Sequence, residues 1–216
     1  MNVEQQVYLV DDDLESLDDT ARLIRSAGYL VKTFESGADL LRDPDFQNAL
    51  CLVFEMNVPD LNGLDLQEIL ATRRCRAPVI FIAGFATVST GVQAIKAGAI
   101  DFLCKPLNPP RLLKAIEEAA QKQQKVRETA AAFDQFSSLT QREQEVFGLV
   151  TRGMLNKQIA AQLGIAEKTI KVHRGRVMKK MAVRSVADLV RLSERIISTE
   201  NWRQNDALSR FSPVFG

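Results

Sequence analysis

A chain of 216 residues with 46% hydrophobic and 25% charged side chains has an ordinary globular composition and room for two small domains. Its apolar runs fall well short of the ~20 residues of a membrane helix, and residues 1–6 have neither a basic start nor an apolar core, so no span or signal peptide is expected and the cytoplasm is the expected compartment. The net charge of +1 conceals an asymmetry: residues 1–120 hold 11 Lys and Arg against 18 Asp and Glu, residues 139–196 hold 12 against 5, so the second half is the one suited to nucleic acid.

In the first half, short β-type runs recur about every 20 residues: Val7–Val10, Leu30–Phe34, Leu50–Phe54, Val79–Ile82 and Asp101–Leu103. Helical patterns fill the gaps, notably Leu14–Ala27 before Gly28, Gly63–Arg73, and Val88–Ala97 before Gly98. Repeated βα units predict an α/β domain, a doubly wound five-stranded parallel sheet over residues 1–120. Such sheets carry their chemistry at the carboxyl ends of the strands. There the sequence places Asp11, Asp12 and Asp13 after the first run, Glu55 after the third, and Lys105-Pro106 after the fifth, which predicts a carboxylate pocket holding one lysine.

Cys51, Cys75 and Cys104 are odd in number, two lie in apolar runs, and none forms a CxxC pair. Buried free thiols are expected.

Pro109-Pro110 opens the next helix, and Leu112, Leu113, Ile116, Ala119 and Ala120 give it one apolar face. Residues 121–138 are rich in Gln, Lys, Glu and Ala and predict an exposed helical connector with a hinge near Phe133–Ser138. From residue 139 to 197 the pattern is all α, with four helices. Thr140-Gln141-Arg142-Glu143 is a capping box, Gly153 ends the first helix, Asn156 is placed to cap a short second one, and Gly164-Ile165 turns into a third over about 167–181. That spacing is helix-turn-helix. Ser185 opens a fourth helix, whose apolar side is Ala187, Leu189, Val190, Leu192 and Ile196. Residues 198–216 lack periodicity and are expected to form a flexible tail, with Trp202 and Phe211 as its bulky apolar side chains.

Both halves resemble the two-component response regulators that join a receiver to a LuxR-type (FixJ-like) helix-turn-helix. In the receiver half the resemblance rests on Asp11-Asp12, Pro59-Asp60-x-x-Gly63, Phe102 and Lys105-Pro106. In the output half it rests on Leu139-Thr140-x-Arg142-Glu143-x-Glu145-Val146, Asn156-Lys157-x-Ile159-Ala160 and residues 168–174, Lys-Thr-Ile-Lys-Val-His-Arg. The resemblance implies a sequence-specific DNA-binding transcription regulator, not an enzyme, with RNA polymerase as a partner and a homodimer seamed by the fourth helix.

Two positions depart from the family. The phosphate-accepting aspartate is matched by Glu55, and the Thr or Ser ending the fourth strand is matched by Ala83. In the family that hydroxyl moves toward the phosphoryl group and lets the aromatic residue matched by Phe102 swing inward; alanine has none. Misplacing a nucleophile by ~1 Å can cost on the order of 100-fold, and glutamate is one methylene too long. Its charge of about −1 sits nearer to where a phosphoryl group carrying roughly −1.5 to −2 would lie. The expectation is therefore a receiver that works without aspartate phosphorylation, with Glu55 as a partial phosphate mimic engaging Lys105 or as part of a scaffold, and this argues against a histidine kinase partner. The alternative is a conventional switch using another carboxylate such as Asp12 or Asp13. No tightly held cofactor is expected beyond weak Mg²⁺ binding by Asp11 and Asp12. A flavin module of the same strand order is disfavoured because three aspartates would repel its phosphate.

In the third output helix, Ile170, Val177 and Met181 predict the inward stripe and leave Lys171, Arg174, Gly175 and Met178 outward. Lys171 and Arg174 are the candidates for base edges, and Lys157, Lys168, Thr169, Arg176 and Lys179 for phosphates. His173, the one histidine, is expected at the boundary with a single hydrogen bond.

Overall fold

The computed structural model describes residues 6–197 apart from Arg74 and Ala86; the expected tail with Trp202 and Phe211 lies outside them. Contacts divide the chain into two units between Lys125 and Val126.

The first unit is built on five strands, β1 (Gln6–Val10), β2 (Leu30–Phe34), β3 (Cys51–Glu55), β6 (Val79–Ala83) and β7 (Asp101–Cys104), in the order β2-β1-β3-β6-β7. All four pairings are parallel. Because strand side chains alternate, the apolar runs supply two cores, one on each face. Val7, Leu9, Val53, Ile80 and Ile82 pack with Leu17, Ala21 and Ile24 of α1 (Leu14–Ser26) and Leu112, Ile116 and Ala119 of α5 (Pro109–Ser137). On the other face Tyr8, Val10, Phe54 and Phe81 meet Leu40 of α2 (Gly37–Arg42), Leu66 and Leu70 of α3 (Gly63–Thr72) and Ala94 of α4 (Val88–Lys96).

Helix α2 and a two-stranded antiparallel hairpin, β4 (Asn57–Val58) with β5 (Leu61–Asn62), carry no signal in the hydrophobic pattern. The hairpin stiffens the segment that follows Glu55. Asp60 at its tip accepts from Gly37 N–H at 3.1 Å and Ala38 N–H at 2.7 Å, satisfying free donors at the start of α2. A Cβ on Gly37 would come within 2.7 Å of Leu61, and one on Gly63 within 2.6 Å of the Phe81 ring, so close backbone approach fixes both glycines.

The second unit packs α6 (Gln141–Thr151), α7 (Asn156–Leu163), α8 (Glu167–Lys180) and α9 (Val186–Ile197) around Val146, Leu149, Val150, Ile159, Ile170, Val177, Met181, Leu189 and Ile196. Gly164, at φ 65°, ends α7 in the left-handed conformation. The hinge expected near Phe133–Ser138 is instead helix as far as Ser137, and Ala132 and Phe136 belong to this core. Phe136 meets Phe147 edge to face at 5.1 Å. An i, i+4 pair of one small and one large apolar residue buries a stripe too narrow to stand out in a polar segment.

The expected capping box forms: Glu143 N–H donates to Thr140 Oγ1 at 3.3 Å and Thr140 N–H to Glu143 Oε2 at 2.9 Å. Lys180 also donates to Glu143 at 2.7 Å. The Lys180 hydrogen bond, followed by that from Thr140, holds the Glu143 carboxyl below its usual 4.5. A lowered folded-state pKa gives stability that is full above the unfolded value and lost as pH falls through the folded one. The urea midpoint should therefore drop as the pH falls below the ordinary carboxylate range, and Glu143→Gln should flatten that drop; an unchanged slope would contradict the assignment.

Candidate functional site: a carboxylate pocket and a nucleic-acid interface

Three strand ends converge in the first unit. Asp11, just past β1, is 1% exposed and Glu55, ending β3, 6%. Asp11 accepts from Ser16 Oγ at 2.7 Å and from Asp13 N–H at 3.1 Å. Lys105 follows β7, its N–H bound to the Ala83 carbonyl at 2.8 Å, and the Lys105-Pro106 peptide is cis. The ammonium donates to Asp11 Oδ2 at 2.6 Å and lies 2.9 Å from Glu55 Oε2. Glu55 Oε2 meets it off the hydrogen-bond axis and has no other partner among the described residues, so the contact is an ion pair without a directed hydrogen bond. Burial alone would lower the Lys105 pKa, but the hydrogen bond to Asp11 and the close negative charges of Asp11 and Glu55 outweigh it and raise it above 10.5. The lysine therefore stays charged throughout the neutral range, and its contribution fades only in strong alkali.

The other expected pocket residues take no side-chain part in this ion-paired trio. Asp12 is exposed. Asp13 caps α1, accepting from Glu15 and Ser16 N–H. Ala83 is buried at the end of β6 and presents a methyl group. Phe102 is half-buried, packed against the core cluster that contains Ala83. Asp11 and Glu55 both face an ammonium, and no group of three or more His, Cys, Asp or Glu side chains converges as a metal-holding set among the described residues. This donor arrangement does not fit the expected Mg²⁺. Of the thiols, Cys51 is buried as expected and pushed up to about 12 by burial, whereas Cys75 is half-buried and Cys104, on an edge strand, is exposed.

In the second unit, α8 turns Ile170 and Val177 inward and leaves Lys168, Thr169, Lys171, Arg176 and Lys179 exposed, as is Lys157 on α7. Arg174 is half-buried, its Nη1 donating to Asn156 Oδ1 at 2.9 Å. Asn156 is not the cap expected of it; Leu155 holds that place, and its N–H donates to Gln158 Oε1 at 2.8 Å. Met178 also departs, being partly buried against the core, because α8 needs a wider apolar face than one stripe. His173 is half-buried with a buried Nδ1 that has no partner among the described residues. A Cβ on Gly175 would meet nothing within 4 Å. Missed from sequence is Val172, 49% exposed among the cations; an apolar residue off the inward stripe was its signal. Arg142 donates to the Leu163 carbonyl at 2.8 Å and pairs with Glu145 at 2.6 Å, tying α6 to the turn before α8.

Sheet, strand-end pocket and helix-turn-helix together define a receiver domain joined to a DNA-binding output domain. Residues 7–117 match the response regulator receiver domain, and residues 137–193 match the bacterial regulatory proteins of the luxR family. The chain is 43% identical over 197 residues to response regulator protein TmoT of Ectopseudomonas mendocina, spanning 89% of this chain and 90% of that one. It is 42% identical to nodulation protein W of Bradyrhizobium diazoefficiens, over 88% and 86%. Among solved structures, response regulator StyR is 44% identical with a TM-score of 0.67, over 88% of this chain and 98% of that one. Full-length FixJ from B. japonicum is 31% identical with a TM-score of 0.55, over 92% and 100%. The chain belongs to the response regulators with a LuxR-type output: it is a DNA-binding transcription regulator, not an enzyme. None of its described helices is long and apolar enough to cross a membrane.

Removing the ammonium leaves two buried carboxylates facing each other. Lys105→Ala should destabilise the first unit by on the order of 3 kcal/mol, and adding Glu55→Gln should restore part of the loss. Equal urea midpoints for the natural chain and Lys105→Ala would show that the trio contributes nothing.

Proposed function

We propose that this regulator acts from the cytoplasm as a homodimer on double-stranded DNA, recruiting or blocking RNA polymerase, and that its receiver is set by Glu55 and not by an acyl phosphate. The observation that carries the reading is the Lys105 ammonium 2.9 Å from Glu55 and 2.6 Å from Asp11. An acceptor carboxylate must present an oxygen in line with an incoming phosphorus; Glu55 is 6% exposed and one of its oxygens is committed to the lysine. The extra methylene carries a negative charge to the ammonium without modification, a standing partial substitute for a phosphoryl–lysine contact. Ala83 supplies no hydroxyl to register a change. A receiver domain in general implies a histidine kinase, and the substitutions at 55 and 83 argue against that dependence here.

A second copy suits the face formed by α4 and β7. Val88, Val92 and Ile95 are exposed there, and with Gly91 and Phe102 they line a groove of about 530 Å³ rimmed by Lys96, Asp101 and Arg111. Apolar residues flanked by both signs of charge favour a two-fold contact in which each copy offers what the other lacks. The seam expected along α9 has less to give, because Leu189 and Ile196 are spent on its own core, leaving Ala187 exposed and Val190 half-buried.

On DNA, Lys171 and Arg174 take base edges, Val172 is apolar and suits a thymine methyl group, and Lys157, Lys168, Thr169, Arg176 and Lys179 hold phosphates. Lys171→Ala should cost about 1–3 kcal/mol at a subset of base positions, whereas Lys179→Ala should weaken all sequences alike and reduce the salt slope by about 1.

The test compares DNA affinity and dimerisation of the natural chain, Glu55→Asp, Ala83→Thr and the double variant, each with and without acetyl phosphate. The natural chain should bind as a dimer regardless of the donor, and donor dependence should appear in the double variant. A donor-driven gain in the natural chain would overturn the proposal, and acid-labile label on Asp12 would favour the conventional alternative.

A further inference from the structure

We infer that Asn156 is a positioning residue that holds Arg174 for DNA, an inference that rests on Arg174 contacting DNA as proposed above. The two residues are 18 positions apart, on α7 and α8, and their side chains meet at 2.9 Å, Arg174 Nη1 donating to Asn156 Oδ1. Asparagine at a helix start ordinarily spends its oxygen on its own helix. Here Leu155 occupies the cap, and the Asn156 oxygen is turned to the neighbouring helix.

The choice of acceptor matters. Lys180, on the same helix, is held by the Glu143 carboxylate at 2.7 Å, a partner that cancels its charge; a neutral amide restrains the Arg174 guanidinium and leaves its charge for DNA. Lys171, by contrast, is exposed with only a loose 3.8 Å approach to Glu167. An unrestrained arginine loses much rotamer freedom on docking, and fixing it beforehand removes part of that loss. The tether takes one donor at Nη1. Among the described residues nothing accepts from the edge formed by Nε and Nη2, and that edge has the fork geometry that pairs with guanine O6 and N7 or with two phosphate oxygens.

The experiment uses the full-length chain and a duplex recovered from a random pool by the natural protein, with affinities measured for Asn156→Ala, Arg174→Ala and the double variant. Arg174→Ala should weaken binding roughly 10- to 100-fold. Asn156→Ala should weaken it about 3- to 10-fold in the natural background and less than about 2-fold when Arg174 is already alanine. It should also flatten the base preference at the position Arg174 reads, whereas Asn156→Asp, which keeps an acceptor in place but offsets the guanidinium charge, should weaken overall binding and retain that preference. Equal losses in both backgrounds would reduce Asn156 to a helix-start residue and overturn the inference. An Arg174→Ala chain that binds as well as the natural one would instead sink the assignment of Arg174 to DNA. Should Asn156→Ala not fold, Asn156→Asp decides alone: a lost base preference contradicts the tether and a kept one supports it.

Discussion

One ammonium group between two buried carboxylates organises the strand-end pocket. Lys105 draws together the ends of β1, β3 and β7 through Asp11 and Glu55, and without it the two acids would repel in a site from which water is nearly excluded. Burying two carboxylates is costly, and the attraction to the partly exposed ammonium offsets that cost only when remaining lone pairs are satisfied. Ser16 and the Asp13 N–H do this for Asp11. Glu55 is less well served, its Oε2 lying 2.9 Å from the ammonium with no hydrogen-bond partner among the described residues.

The proposed function rests on this pairing: a shorter carboxylate would leave space in which an acyl phosphate could form and a lysine free to meet it, whereas Glu55 engages the lysine itself. Ala83 has a complementary part in that proposal, because a methyl group has no hydroxyl with which to meet a phosphoryl group. On the proposed reading, the receiver keeps the fold of a switch while Glu55 and Ala83 stand in the places of its two moving parts. The output unit has a complete core of its own, to which the end of α5 contributes Ala132 and Phe136.

Much of this was legible in the residues because the features are local. The five strands are unbroken apolar runs, the helices between them end at Gly28 and Gly98, and the spacing from Thr140 to His173 specifies the helix-turn-helix. Glu55 and Lys105 were found because a strand end can be located from a pattern, and Ala83 because the family resemblance marks its position. What escaped depends on partners distant in sequence. Helix α2 and the β4–β5 hairpin support each other through Asp60 and Leu61, neither of which has a periodic signature. Asn156 looked like a cap because its own helix offers donors, yet an arginine 18 residues away takes its oxygen. Asp12 and Cys104 were expected at the pocket and in the core respectively and are exposed, since neighbours along the chain point to opposite sides of a strand or away from its end.

The most direct measurement is the intact mass of the natural chain after incubation with excess acetyl phosphate, read alongside its affinity for DNA. A receiver set by the Glu55–Lys105 pair should return the unmodified mass and an unchanged affinity. A phosphoryl adduct mapped to Glu55, accompanied by a shift in DNA binding, would contradict it.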